Sequence, residues 1–296
     1  MNTMSTTLGL ALLASLALPA LAATPINETR ALDARGSIEI SNVKGRIEVR
    51  AWDRDEVRIG GSLGDGVERL QIEGDRRQLE VKVRYPRNSR NTEPTTLVID
   101  VPRQANVEID SVAASVEVNG VAGDELDIES VSGAVTAVGA PRKAEVSSVS
   151  GSLRLNLNSQ SIDAETVSGN ITLRGRIAGE IDAETVSGNI DIDTRGEQAS
   201  RIETSSVSGD AEIRSDLARG GRINAESVSG SIRITAPASL SANVRGESFS
   251  GRLRAPDASI DKPKYGPGSS FEHRYRNGDG EIRMETFSGN AELRLE

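Results

Sequence analysis

Three sets of side chains recur or cluster in ways that could support chemistry. The first is the serine of a V/F-S-G triplet, at Ser132, Ser150, Ser168, Ser187, Ser208 and Ser229. A serine nucleophile needs a base within hydrogen-bond reach, and no base repeats beside this one. His273 is the one histidine of the chain, so any Ser–His relay would have to pass through it alone. Hydroxyls at corners commonly bond nearby backbone groups, and the serines read as structural. The second set is acidic. Four and two positions before the V/F residue lie Asp127 and Glu129, Asp163 and Glu165, Asp182 and Glu184, with Glu203, Glu226, Glu247 and Glu285 in further copies. If the copies stack, these carboxylates form a ladder, which is unfavourable unless solvent, arginines or cations screen it. Calcium takes carboxylate oxygens, but the Gly- and Asp-rich nonapeptide of calcium-binding β-rolls is absent. The ladder therefore reads as a solvated face without a metal. Asn170 and Asn189 read as an amide ladder of the same kind.

The third set lies where the repeat is interrupted, between Pro256 and Gly280. It holds Tyr265, Phe271, His273 and Tyr275, beside Arg274 and Arg276. A repeat stack needs an end cap, and an aromatic loop would supply one. The same four rings are the candidate ligand surface, because loops carry binding more often than the regular elements beneath them. Rings beside arginines could stack on sugars or peptides.

Composition narrows the chemistry further. The chain has 296 residues, with 35 Lys+Arg against 44 Asp+Glu, a formal charge of -9, and no cysteine. No cysteine means no disulfide, thiolate nucleophile, zinc ribbon or Cys-ligated cluster. A single histidine leaves no multi-His metal centre. No cofactor is expected. Net negative charge without a basic block argues against a nucleic-acid partner.

Residues 1–22 read MNTMSTTLGLALLASLALPALA, an apolar run from Leu8 to Leu18 followed by Pro19 and the small-x-small triplet Ala20-Leu21-Ala22. This is the h-region and cleavage pattern of a secretory signal peptide, cut between Ala22 and Ala23. The n-region lacks Lys and Arg. The run is shorter than the ~20 residues a spanning helix needs. Export to the periplasm, cell surface or medium is the expectation, with no transmembrane segment in the mature chain.

The elements that would position these groups follow from the repeat. The V/F-S-G triplet occurs eight times, and its glycines are 18, 18, 19, 21, 21, 21 and 38 residues apart. The last step reads as two 19-residue units with one triplet lost. Around each triplet the pattern alternates, as in Ile162-Asp163-Ala164-Glu165-Thr166 before it and Ile171-Thr172-Leu173 after it, which marks half-buried strands. The Ser-Gly pair reads as a corner whose glycine is free to take φ > 0. No helical period is visible after residue 23. The chain reads as an all-β, single-stranded solenoid of coils about 20 residues long. A meander of β-hairpins with Ser-Gly loops is the alternative. The few aromatics, one Trp, three Tyr and three Phe, suit a narrow core of Val, Ile, Leu and Ala. Residues 23–296 read as one domain, irregular over 30–125 and regular over 126–296.

The pattern G-x-I-x-I-x-N-x-x-G-x-I-x-V from Gly36 to Val49, Ala51-Trp52-Asp53, the Leu97–Pro102 strand and the serial V-S-G triplets together carry a family resemblance. The chain resembles the bacterial putative-adhesin β-strand-repeat family (domain of unknown function 4097, kin to the head GIN domain), over about residues 30–296. The resemblance implies a right-handed, β-helix-like fold and an exported or envelope location, and it carries no catalytic residues with it. Phe249 and Phe287 in place of valine, and the aromatic insertion, depart from the repeat.

The functional expectation is a non-catalytic exported β-repeat protein that binds an envelope or cell-surface protein or glycan through an extended β surface. A periplasmic protein-binding partner in envelope-stress signalling is the alternative, and a polysaccharide-active β-helix enzyme a remote one. Exposed edge strands could also pair copies of the chain edge to edge.

Overall fold

The computed structural model describes residues 24–88 and 91–296, so the expected cleavage point between Ala22 and Ala23 lies outside the described residues. Twenty-two strands and no α-helix make up the described chain. In the regular part each coil supplies one strand to each of two parallel ladders. The first ladder runs through β8 (Glu125–Ser130), β10 (Lys143–Ser148), β12 (Ser161–Thr166) and β14 (Glu180–Thr185), then the C-terminal halves of β15 (Ile190–Ser206) and β16 (Ala211–Ser227). The second runs through β9 (Val135–Gly139), β11 (Leu153–Leu157), β13 (Ile171–Arg174), the N-terminal halves of β15 and β16, and β17 (Ile232–Ala236). Each strand pairs in parallel with its equivalent one coil away and not with the other strand of its own coil, which makes the body a solenoid and not a meander of hairpins.

Register is kept residue for residue. Ile162 sits between Ala144 and Ile181, and Asp163 between Glu145 and Asp182. Because side chains alternate across a strand, that register stacks apolar residues inside and polar ones outside. Ile162, Ala164, Ile171 and Leu173 are each at most 1% exposed. The buried hydrophobics are almost all Ile, Val, Leu and Ala, and the only rings among them are Phe271 and Tyr275.

The two ends are closed by changes of direction. At the N-terminal end, β2 (Ser37–Trp52) stacks on β7 (Asn106–Val121), and β5 (Gln78–Arg84) and β6 (Thr95–Pro102) lie beyond β2. Antiparallel strands then cover that layer. β4 (Arg69–Gly74) pairs with β5, β3 (Glu56–Leu63) with β6, and β1 (Thr24–Ala31) with β3.

At the C-terminal end the chain does something the spacing did not suggest. β18 (Ala242–Ser248) and β19 (Leu253–Arg254) are the outermost parallel layer, and β20 (Ser269–Tyr275) covers β18 antiparallel. The chain then returns, and β21 (Gly280–Thr286) inserts between β16 and β18 while β22 (Ala291–Leu295) inserts between β17 and β19. The 38-residue step is therefore not two coils with a lost triplet. It is one capping excursion followed by a coil slotted into an inner layer.

Candidate functional site

Each V/F-S-G corner is built from four successive residues with different duties. The first is a buried Ser or Thr such as Thr185, whose hydroxyl accepts the Gly188 N–H at 3.0 Å and donates to the Gly169 carbonyl at 3.4 Å. Thr166 and Thr286 bridge their coils in the same way. The third residue is the exposed serine, which at six of the eight corners donates to the backbone carbonyl of the V/F residue in the adjacent coil, as Ser132 does to Val112 and Ser229 to Val207, both at 3.0 Å. Among the described residues, no hydrogen bond joins any of these serine hydroxyls to a base. The fourth is glycine, for a reason other than the expected positive φ. None of the eight triplet glycines has one. A Cβ on Gly188 would lie 1.6 Å from the Gly169 carbonyl oxygen, and one on Gly169 would lie 2.0 Å from that of Gly151. Close stacking of corner on corner requires glycine here. Past the corner, the Asn170 carboxamide oxygen accepts the Asn189 N–H at 2.9 Å, and that of Asn189 accepts the Asp210 N–H at 3.0 Å. The two asparagines thus tie coil to coil through side-chain-to-backbone bonds.

The second residue of each corner, the Val or Phe, points outward. In stacking order these are Val131, Val149, Val167, Val186, Val207, Val228, Phe287 and Phe249, and Val43 and Val112, at the equivalent positions of two coils that lack the triplet, extend the row at the other end, the whole series 36–55% exposed. Only two other large hydrophobics are comparably exposed among the described residues, Val138 and Tyr265. With coils about 4.8 Å apart, the stripe is about 43 Å long. At its end the two phenyl rings stack at 4.6 Å, each covering a face of the other. The period-two pattern carried this signal, because Val167 stands at odd distance from Ile162 and so lies on the solvent face.

Beside the stripe run two acidic columns on the same outer face. The nearer contains Glu129, Glu165 and Glu184, and a groove of about 760 Å³ follows it along the valines. In the farther column eight consecutive layers are acidic, from Glu80 and Glu39 through Glu108, Asp127, Glu145, Asp163 and Asp182 to Glu203. It then changes character to Asn224, Arg283 and Arg245. Lys143 pairs with Glu145, and Arg201 with Glu203, while Asp127, Asp163 and Asp182 form no ion pair among the described residues. Partial burial, reinforced by the neighbouring carboxylates, pushes Asp127 and Asp182 up to about 6, and raises Asp163 for the same reasons. The ladder is thus less solvated than a free surface. No grouping of three or more His, Cys, Asp or Glu suited to a metal ion occurs among the described residues.

The four candidate ligand residues of the insertion are not brought together. Phe271 is 2% exposed and lies over Gly246, where a Cβ would meet its ring at 2.2 Å. Tyr275 is 7% exposed, and its hydroxyl donates to the Pro256 carbonyl. Both close the end of the core and present no ring to a ligand. His273, half-buried, meets the Tyr275 ring edge-on at 4.5 Å. Tyr265 alone projects, 84% exposed with the Lys264 ammonium 5.5 Å from its ring centre. What the insertion does contribute is a wall, Asp261 to Pro263 and Gly268 to Ser270, around the Phe249–Phe287 end of the stripe.

The stacked V-S-G corners and their glycine column coincide with a family match. Residues 100–220 match the family model Toastrack DUF4097. That segment is similar to the Toastrack family. It bears out the resemblance read from the motifs, and the two parallel ladders continue without a break on both sides of it. Three solved structures share the fold. A putative adhesin from Parabacteroides merdae is 13% identical, with a TM-score of 0.56 over 91% of this chain and 96% of that one. A putative adhesin from Parabacteroides distasonis is 14% identical, TM-score 0.53, over 92% and 97%. A putative lipid binding protein from the same species is 15% identical, TM-score 0.52, over 91% and 96%. No curated protein matches the chain. No helix among the described residues is long and apolar enough to cross a membrane.

Proposed function

We propose that this chain is an exported, non-catalytic β-repeat protein that binds a component of a cell envelope or cell surface through its outer β face. The observation that carries the reading is the Val43–Phe249 stripe. Water-soluble proteins rarely leave a continuous apolar strip of this length open, and a strip rimmed by polar residues usually marks a contact surface. Solenoids offer such surfaces because each coil adds one copy of the same exposed residue. Six of the eight outward serines are engaged with backbone carbonyls, which leaves the stripe and the carboxylates beside it as the main groups on this face able to meet a partner. The names of the fold neighbours agree with a binding role.

The test has two arms. Purified, labelled chain is added to intact cells, wild type beside the triple substitution Val149→Ser, Val167→Ser, Val186→Ser. Retention of the wild type and loss of the variant supports the reading; equal retention, or none for either, removes the stripe as the contact. Protease shaving of cells that make an epitope-tagged copy then locates the protein. Digestion on intact cells makes it a surface adhesin, and protection until permeabilisation makes it a periplasmic partner of another envelope protein.

A further inference from the structure

The acidic columns select among partners for the stripe, and this inference rests on the proposed binding role. We propose that the face docks an extended, cationic polypeptide segment lying along the solenoid axis, its apolar side chains on the Val43–Phe249 stripe and its Lys or Arg side chains over the two carboxylate columns. Stripe and columns share one outer face, so a single segment meets both. A segment spanning the full stripe would be about 13 residues long at ~3.3 Å per residue.

The contact is made by side chains and not by strand addition. The corner N–H groups are already spent between coils, as Ser132 N–H to the Val112 carbonyl and Ser208 N–H to the Val186 carbonyl show. The columns also give the partner a direction. Acidic layers run from Glu80 to Glu203, and the same column turns to Arg283 and Arg245 beside the phenylalanines. The farther column therefore favours the cationic part of the segment toward Val43, while Glu226, Glu285 and Glu247 of the nearer column keep carboxylates beside Phe287 and Phe249.

Other occupants fit less well. An anionic membrane surface would face the carboxylates and be repelled by them. A second copy laid antiparallel on the same face would place the middle acidic layers, Glu145 to Asp182, against their own equivalents. A sugar stacks on aromatic faces, and along the stripe eight of the ten residues are valines while Phe249 and Phe287 each give one face to the other.

The experiment uses the purified full chain and fluorescein-labelled 13-residue probes read by anisotropy at low salt. An alternating Lys-Val peptide is compared with alternating Lys-Ser and Glu-Val peptides, and with phosphatidylglycerol vesicles read by co-sedimentation. Binding of Lys-Val is expected, at least tenfold tighter than Lys-Ser, with no binding of Glu-Val or of vesicles. Affinity should fall at least tenfold for Val149→Ser/Val167→Ser/Val186→Ser and also for Asp127→Asn/Asp163→Asn/Asp182→Asn, with far-UV circular dichroism unchanged in both. Equal binding of Lys-Ser, unchanged affinity of the valine variant, preference for vesicles, or dimerisation that blocks the probe would overturn the proposal. If the probes fail while cell retention still depends on the three valines, this inference falls and the broader binding role stands.

Discussion

At the scale of single residues, the most constrained position in the repeat is the corner glycine. A methyl on Gly188 has nowhere to go except into the backbone oxygen of the next coil, so corners must separate or the coil must tilt. Overpacking of this kind costs about 1–3 kcal/mol. Gly188→Ala should lower the melting temperature by several degrees, whereas Ala at Gly220, with open space around it but a φ of 73°, should cost only the strain of that φ, about 1 kcal/mol. Thermal denaturation of the two variants compares them, and an unaffected Gly188→Ala would show that the corners are not in close contact. The sequence announced a glycine at each corner but suggested the wrong reason, since spacing alone does not distinguish a turn needing positive φ from a column needing no side chain. The buried hydroxyl before each triplet was also overlooked, because Ser and Thr vary there while their hydrogen bonds do not. The acidic ladder makes a second residue-scale prediction. Asp127 and Asp182 titrate near 6 in the folded chain against an ordinary 3.8, so the folded state binds protons more readily than the unfolded one between those values. Stability must then fall as pH rises through that window. The penalty is complete above about 6 and absent below 3.8. Carboxylates held low by arginines, Asp53 by Arg103 and Glu292 by Arg294, act oppositely but only at or below their usual range. Melting should therefore occur at a higher temperature at pH 5 than at pH 7.5, and Asp127→Asn/Asp182→Asn should flatten the difference. A rise in stability toward pH 7.5 would contradict the ladder.

At the scale of elements, each strand gains its stability from the coils above and below it, so the end strands need a different solution. β20 supplies it at one end. It pairs antiparallel with β18 and lays Phe271 across Gly246, filling with one ring the space that a core side chain occupies in every inner coil. Phe271→Ala removes that ring and should cost about 3–5 kcal/mol. Because nearest-neighbour stacking dominates in repeat proteins, the loss should be local. Hydrogen exchange would show β18 to β20 opening while β10 to β14 keep their protection. Uniform loss across the stack would mean that the body unfolds as one unit. The cap was legible from the sequence as a cluster of rings in an interruption. Which rings faced inward was not, because the insertion lacks the clean alternation that sorted the repeat strands. Tyr265 and Phe271 are six residues apart and differ from fully projecting to fully buried.

At the scale of the whole molecule, the order of coils in space departs from their order along the chain, and this sets how the C-terminal end must assemble. β18 and β19 have no direct partner in β16 and β17, because β21 and β22 lie between them. The penultimate coil can dock only after the last one arrives. In a simple solenoid, deleting the final coil exposes the previous one and leaves it in place. Here, truncation after Asp279 would remove an inner layer, leaving β18 with β20 but with nothing beneath it. Val244, Leu253 and Phe271 would lose the surface they are buried against, and the edges of β16 and β18 would both be open. The truncated chain should show residues 242–275 cleaved rapidly by trypsin, which has Arg245, Arg254, Arg274 and neighbouring sites there, while β8 to β15 resist as in the full chain. It should also associate, which light scattering would detect. Protection of 242–275 in the truncated protein would show that β18 can settle directly on β16. The strand order would then be one of two accessible arrangements and not a requirement of the fold. The distinction bears on binding, because Phe287 and Phe249 become neighbours at the end of the stripe only in the inserted arrangement.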